Sequence, residues 1–305
     1  MGIKQTVKGL VNRMPYFREL YRESIRYKAN SCFPAGHYYS PIVDVEEIRK
    51  REAEIWKADE KDQIPGIELN TEAQISLVRS FSKTYAELPF SPSKQPSAKY
   101  YYENGFYSYN DGIILYSMIR HYQPRRIIEV GSGFTSALML DTNGLFFGNR
   151  IMLTFIEPYP DRLNSLISEA DKSSVTLYQQ NVQEVPAEVF AALEAGDILF
   201  IDSSHVAKTG SDVNHLLFQI LPLLNSGVLV HFHDITYPFE YPKKYVFDGH
   251  NWNENYFLRA FLMYNTSFEI RLFSDYLHRF HREAFSEMPL CYKDTGGNMW
   301  IAKKS

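Results

Sequence analysis

Only two cysteines, Cys32 and Cys291, occur in the 305 residues of this chain. They lie far apart and match neither a zinc-ligand spacing nor a disulfide framework, so a reducing compartment is the simplest setting and both read as plain thiols. No apolar run approaches the ~18 residues that span a bilayer, and the N-terminus has no secretory apolar segment, so a soluble, cytoplasmic protein is expected. A basic excess is missing too. The formal net charge is −4, which argues against a general nucleic-acid binder, because neutralising phosphates needs a positive surface. Internal repeats are absent. Disorder is excluded by a composition that is 45% hydrophobic and 22% charged, enough for one large or two small domains with a proper core.

What is present starts with a basic amphipathic segment. Ile3, Val7, Leu10, Val11 and Met14 fall at helical spacing beneath Lys4, Lys8 and Arg13, and such a helix either packs on its own domain or docks on a membrane surface or a partner. A homo-oligomer is left open. Charged helical stretches follow, VEEIRKREAEIWK and EAQISLVRSFSKTYAEL, with a turn at Pro65-Gly66 between them. The run FSPSKQPSAK then breaks the periodicity and marks a boundary between an N-terminal helical region, residues 1–95, and a main domain, residues 96–305.

The main domain alternates apolar runs with helical stretches. Residues 127–130, 151–157, 175–179 and 197–201 read as strands, with helices at 161–168 and 187–193 between them, and this alternation specifies an α/β, doubly wound, mostly parallel sheet. Ligands sit at the carboxyl ends of such strands. The first strand delivers Glu129, Gly131, Ser132 and Gly133 into a tight turn, where glycine lets backbone approach a ligand, and Ser136 falls where the next helix still has free N–H groups. The second strand ends in Glu157, placed to accept hydrogen bonds from ribose hydroxyls. A dinucleotide fingerprint would need glycine at position 136, where Ser136 stands.

At Glu129-Val130-Gly131-Ser132-Gly133 the chain resembles the class I S-adenosylmethionine-dependent methyltransferases, over about residues 96–305. The resemblance implies a Rossmann-like sheet closed by a C-terminal antiparallel pair, here SFEIRLF and NMWIAKK. It also implies S-adenosylmethionine held by Glu129, Gly131, Ser132, Gly133, Ser136 and Glu157, with Asn181 and Val182 near the adenine and Asp202 at the fourth strand. The loop before the first helix of the domain then closes over the methionine end of the cofactor, which makes Tyr107 and Tyr109 lid candidates. Either tyrosine reads equally as core in a chain with 22 Tyr and 21 Phe.

Two further blocks carry chemistry: Asp202-Ser203-Ser204-His205 and His231-Phe232-His233-Asp234. Together they resemble a subgroup of sugar and natural-product O-methyltransferases. Methyl transfer to a hydroxyl needs an aligned nucleophile and a destination for its proton. His205 or His233, with Asp234, supplies a base near neutral pH; alternatively Asp202, His233 and Asp234 hold a divalent cation such as Mg²⁺ that acidifies the hydroxyl. His231 should lie deeper in the sheet. The aromatic segment after Asp234 (Tyr237, Tyr241, Tyr245, His250, Trp252), with His37, Tyr38 and Tyr39, offers platforms for an acceptor. A saccharide hydroxyl is the first expectation, and a phenolic metabolite or a catalytically inactive cofactor-binding module are the alternatives.

Overall fold

A computed structural model describes residues 15–57 and 61–304. The amphipathic pattern between Ile3 and Met14 lies outside the described residues. Two compact units are present, one of Met1–Ala58 with Lys243–Asn251, the other of Asp59–Pro242 with Trp252–Ser305.

In the smaller unit, helix α1 (Pro15–Asn30) buries none of its residues. Tyr16, Phe17, Leu20, Tyr21, Ile25 and Tyr27 are exposed along it. A short helix, Val45–Lys50, is capped by Asp44 Oδ1, which accepts from the N–H groups of Glu46 and Glu47 at 3.0 and 3.2 Å and so satisfies donors a helix start leaves unpaired. Trp56 meets the Phe247 ring edge-on at 5.8 Å.

The larger unit is built on a seven-stranded sheet. Its principal elements in chain order are helices α2 (Thr71–Ser80) and α3 (Tyr109–Tyr122), strand β1 (Arg126–Val130), helix α4 (Phe134–Phe147), β2 (Met152–Ile156), β3 (Thr176–Tyr178), β4 (Ile198–Ile201), β5 (Leu229–Phe232), helix α5 (Glu254–Leu262), β6 (Phe268–Phe273) and β7 (Met299–Lys303), with shorter helices between them. Strand order is β3-β2-β1-β4-β5-β7-β6. The first five strands pair in parallel, and β7 runs antiparallel between β5 and β6. All four residues of β4 and of β5 are buried, as expected when helices cover both faces. Strand order reverses between β1 and β4, and there the crevice for a ligand opens.

Residues 61–95, expected in the N-terminal helical region, group with the sheet-bearing unit. Helix α2 packs on the edge strand β6, where buried Gln74 accepts from the Phe273 N–H at 2.6 Å and Asn70 donates to the Ile270 carbonyl at 3.3 Å. An edge strand presents unpaired backbone groups, and α2 covers them. The N-cap of α3 is Ser108, and Asn110 and Asp111 lie in the first turn. Their side chains pin the loop before β7: Asn110 donates to Ser274 Oγ (2.6 Å) and the Thr295 carbonyl (2.8 Å), while Asp111 accepts from the N–H of Gly297 (2.8 Å) and from Asn298 (2.6 Å). No helix among the described residues is long and apolar enough to cross a membrane.

Candidate active site

At the β1 end the chain turns sharply. Gly131 has φ +83° and an added Cβ would stand 1.8 Å from the Asp202 carbonyl oxygen. The glycine is therefore required first by the close approach of two strand ends, with ligand access following from it. The Asp202 N–H continues the ladder onto the Val130 carbonyl at 2.9 Å, and the His233 N–H onto the Ile201 carbonyl at 3.0 Å. Backbone pairing thus carries the acidic and imidazole side chains to adjacent positions above the sheet.

Beneath the turn, Glu129 is fully buried and its carboxylate accepts from Ser136 Oγ, which accepts in turn from the Gly133 N–H at 3.0 Å. Burial, only partly offset by that hydroxyl, pushes the Glu129 carboxyl up to about 8. Neither Glu129 nor Ser136 faces the cavity; they brace the turn from below. Glu157 does face it, half-buried, accepting from the Ser132 N–H at 3.0 Å and the Tyr159 N–H at 2.8 Å.

The cavity measures about 220 Å³ and runs along residues 131–135, between Glu157 on one side and Asp202 and Ser203 on the other. Tyr107 and Phe106 close it, and Arg162 lies over the Phe106 ring at 3.8 Å. The lining hydroxyls of Tyr107, Ser132 and Ser203 are buried without a hydrogen-bond partner among the described residues. Buried polar atoms are rarely left so, and a polar ligand such as S-adenosylmethionine fits a cavity that offers them beside an acid and a backbone cradle.

Tyr109, a lid candidate, does not line the cavity. Its hydroxyl donates to Glu103 at 2.7 Å and accepts from Lys293 at 2.9 Å, while its ring stacks on Tyr102. Tyr107 lies in the bend before the N-cap Ser108, whereas Tyr109 opens the helix α3, so the two side chains leave the chain in different local conformations. Asn181 is exposed and opens the turn Val182–Glu184, its N–H on Glu184 Oε2 at 3.0 Å; Val182 is buried, and neither lines the cavity. Tyr237 and Tyr241 are core residues, 2% exposed, so neither presents a ring face to an acceptor.

Beside the cavity the acids and histidines converge. Ligand atoms of Asp202, His233 and Asp234 lie within 4.8 Å of one another. His233 Nδ1 is buried without a partner among the described residues, and its ring centre is 5.1 Å from that of Tyr107. His231 lies deeper, stacked on Phe200 at 4.0 Å, and burial holds it well below the ordinary histidine range. The donor set of two carboxylates and one imidazole fits a divalent cation.

His205 is held from both sides. Its Nδ1 lies 2.8 Å from Glu254 Oε2, and its Nε2 lies 3.4 Å from Asp202 Oδ1 and 3.6 Å from Asp234 Oδ2. Burial alone would lower this imidazole, but Asp202 and Glu254 outweigh it and hold the group well above its ordinary value. Burial would likewise raise Asp202, yet His233 and His205 keep it low. His205 and Asp234 both adopt left-handed backbone, φ +59° and +54°, a conformation costly outside glycine and concentrated at functional sites.

Sequence reasoning missed Arg162, Thr135, Glu254 and Asp212. Asp212 accepts from the N–H and hydroxyl of Ser204 at 2.8 and 2.6 Å and so fixes the loop after β4. Spacing carried no signal for these contacts, which join separate elements.

A family model described as a methyltransferase domain matches residues 128–235. An uncharacterized protein of Archaeoglobus fulgidus is 35% identical over 176 residues, covering 56% of this chain and 78% of its own. Among solved structures, the S-adenosylhomocysteine-bound methyltransferase PaMTH1 of Podospora anserina is 16% identical, covers 90% of this chain and 99% of its own, and has a TM-score of 0.43. The O-methyltransferase TomG of Streptomyces achromogenes, solved with S-adenosylmethionine, is 13% identical, covers 85% of this chain and 96% of its own, and has a TM-score of 0.41.

Proposed function

We infer, for a chain that belongs to the class I S-adenosylmethionine-dependent methyltransferases, that the acceptor is a hydroxyl of a saccharide or glycan precursor. The observation that carries this reading is the meeting of Asp202, His233 and Asp234 at the strand ends next to the cofactor cavity. Trp252, half-buried, lies 4.4 Å from the His205 ring, and an aromatic face beside paired carboxylates suits a sugar ring with adjacent hydroxyls.

The turn at 131–133 and Glu157 are assigned to the cofactor, Glu157 to its ribose. Asp202 and Asp234 orient the acceptor hydroxyl toward the methyl group, and in-line alignment supplies much of the rate. A divalent cation, Mg²⁺ or Mn²⁺, would be held by Asp202, His233 and Asp234 and would acidify the acceptor hydroxyl. His205, engaged at both nitrogens, is not the proton acceptor. If turnover is insensitive to chelation, His233 takes the proton instead.

The test is release of S-adenosylhomocysteine against a panel of sugar and phenolic acceptors, with and without a chelator. Turnover confined to sugars supports the reading, and turnover confined to phenols overturns the acceptor class. Cofactor binding without turnover on any acceptor would leave a binding module.

We also propose that α1 docks on an anionic membrane surface. Residues 1–28 carry seven basic and two acidic side chains in a chain of net charge −4, and the apolar side chains of α1 are exposed. That combination adsorbs to acidic headgroups.

A further inference from the structure

Glu254 belongs to no part of the cofactor cavity, yet it is 1% exposed and stands in the first turn of α5. An ionised carboxylate buried this deeply needs a partner. Its partner is His205, at 2.8 Å through Oε2 and Nδ1. The same turn grips the loop that carries His205. The N–H groups of Asn253 and Glu254 both donate to the His205 carbonyl, at 3.0 and 3.2 Å. The Asn253 side chain accepts from the Ala207 N–H at 2.6 Å and donates to the Ala207 carbonyl at 3.2 Å.

This grip accounts for the left-handed backbone of His205. A non-glycine residue at φ +59° persists only where its surroundings over-determine it. Once Nδ1 is fixed on Glu254 the ring cannot rotate, and its other nitrogen must point between Asp202 Oδ1 and Asp234 Oδ2. The two carboxylates come from different strand ends, and the His205 ring lies within reach of both.

We propose that Glu254 is a positioning residue for methyl transfer: through His205 it sets the spacing and direction of Asp202 and Asp234, with Asn253 holding the loop. The proposal rests on the assignment of those two carboxylates to the acceptor side of the site. Loss of such an outer hydrogen-bond partner typically costs about 10–100-fold in activity or metal affinity. Removal of Glu254 should therefore slow turnover while leaving the cofactor cavity intact.

The experiment compares wild type, Glu254→Gln and Glu254→Ala by three measurements: thermal melting with S-adenosylhomocysteine calorimetry, ring-nitrogen NMR of histidine-labelled protein, and steady-state kinetics. The His205 signals are assigned from a His205→Gln sample. Wild type should show one fixed His205 ring with a strongly deshielded Nδ1 proton. In Glu254→Gln that proton signal should move or vanish, S-adenosylhomocysteine affinity should stay within twofold, and kcat should fall about 10–100-fold with KM for S-adenosylmethionine unchanged. An unaltered His205 signal in Glu254→Gln overturns the proposal, as does unaltered kcat. Parallel loss of melting temperature and cofactor affinity in Glu254→Gln also overturns it, since Glu254 would then be an ordinary fold element. Wild-type protein that fails to bind S-adenosylhomocysteine refutes the cofactor assignment instead, and the NMR comparison still decides whether Glu254 fixes the ring.

Discussion

Gly131 and Gly133 look alike in the motif and differ in space. At Gly131 both the positive φ and the Asp202 carbonyl at 1.8 Å forbid a Cβ, whereas Gly133 is extended and its added Cβ would meet only the flexible Arg162 side chain, at 3.2 Å. Gly131→Ala should lower the melting temperature and abolish S-adenosylhomocysteine binding together. Gly133→Ala should leave folding intact and weaken binding modestly; calorimetry beside thermal melts reads both. Glu129 gives a pH prediction. Its carboxyl is raised to about 8 in the fold against about 4.3 unfolded, so between those values the folded state holds the extra proton and stability falls as pH rises. Glu129→Gln should flatten that part of the profile, and urea unfolding at pH 5.5 and 8 checks it. Equal slopes for wild type and variant would sink the assignment.

At the scale of elements, the ends of β1, β2, β4 and β5 act as one platform because their ladder is in register from Ile127 to Phe232. Glu157, one residue past β2, should contribute about 1–3 kcal/mol to cofactor affinity through charged hydrogen bonds. Glu157→Ala with an unchanged dissociation constant removes it from the site. Past β4 and β5 the acceptor groups gather, and Asp202→Ala or Asp234→Ala should each lower Mn²⁺ affinity and turnover while His231→Phe, deep in the sheet, should change neither. Calorimetric titration with Mn²⁺ distinguishes these. The π-helical turn Leu216–Ile220 replaces the regular helix that the apolar spacing of Val213, Leu216, Leu217, Ile220 and Leu221 predicts. All five are buried regardless.

On the scale of the whole molecule, basic and aromatic residues gather at one end of the chain. Co-sedimentation should show wild type bound to vesicles rich in phosphatidylserine but not to phosphatidylcholine alone, with release by high salt as screening demands; a version lacking residues 1–30 should stay in the supernatant. Equal binding to both vesicles, or none, would refute the membrane reading. Much of the main domain was legible beforehand, because periodicity and turn chemistry are local: an apolar run ending in Glu129, Gly131 and Gly133 specifies a buried parallel strand with a ligand turn, and the repeats of that pattern place Glu157, Asp202 and His233 at one edge. SFEIRLF and NMWIAKK were legible as strand-like runs, but their antiparallel pairing came from the resemblance to the family and not from periodicity. What the chain alone could not say is which of two similar neighbours faces the ligand, as with Tyr107 and Tyr109, or that residues 61–95 group with the sheet-bearing unit. Nor could it say that His205 is clamped by an acid 49 positions away. Those outcomes depend on contacts between elements distant in sequence, which packing and the satisfaction of buried polar groups decide and local spacing does not.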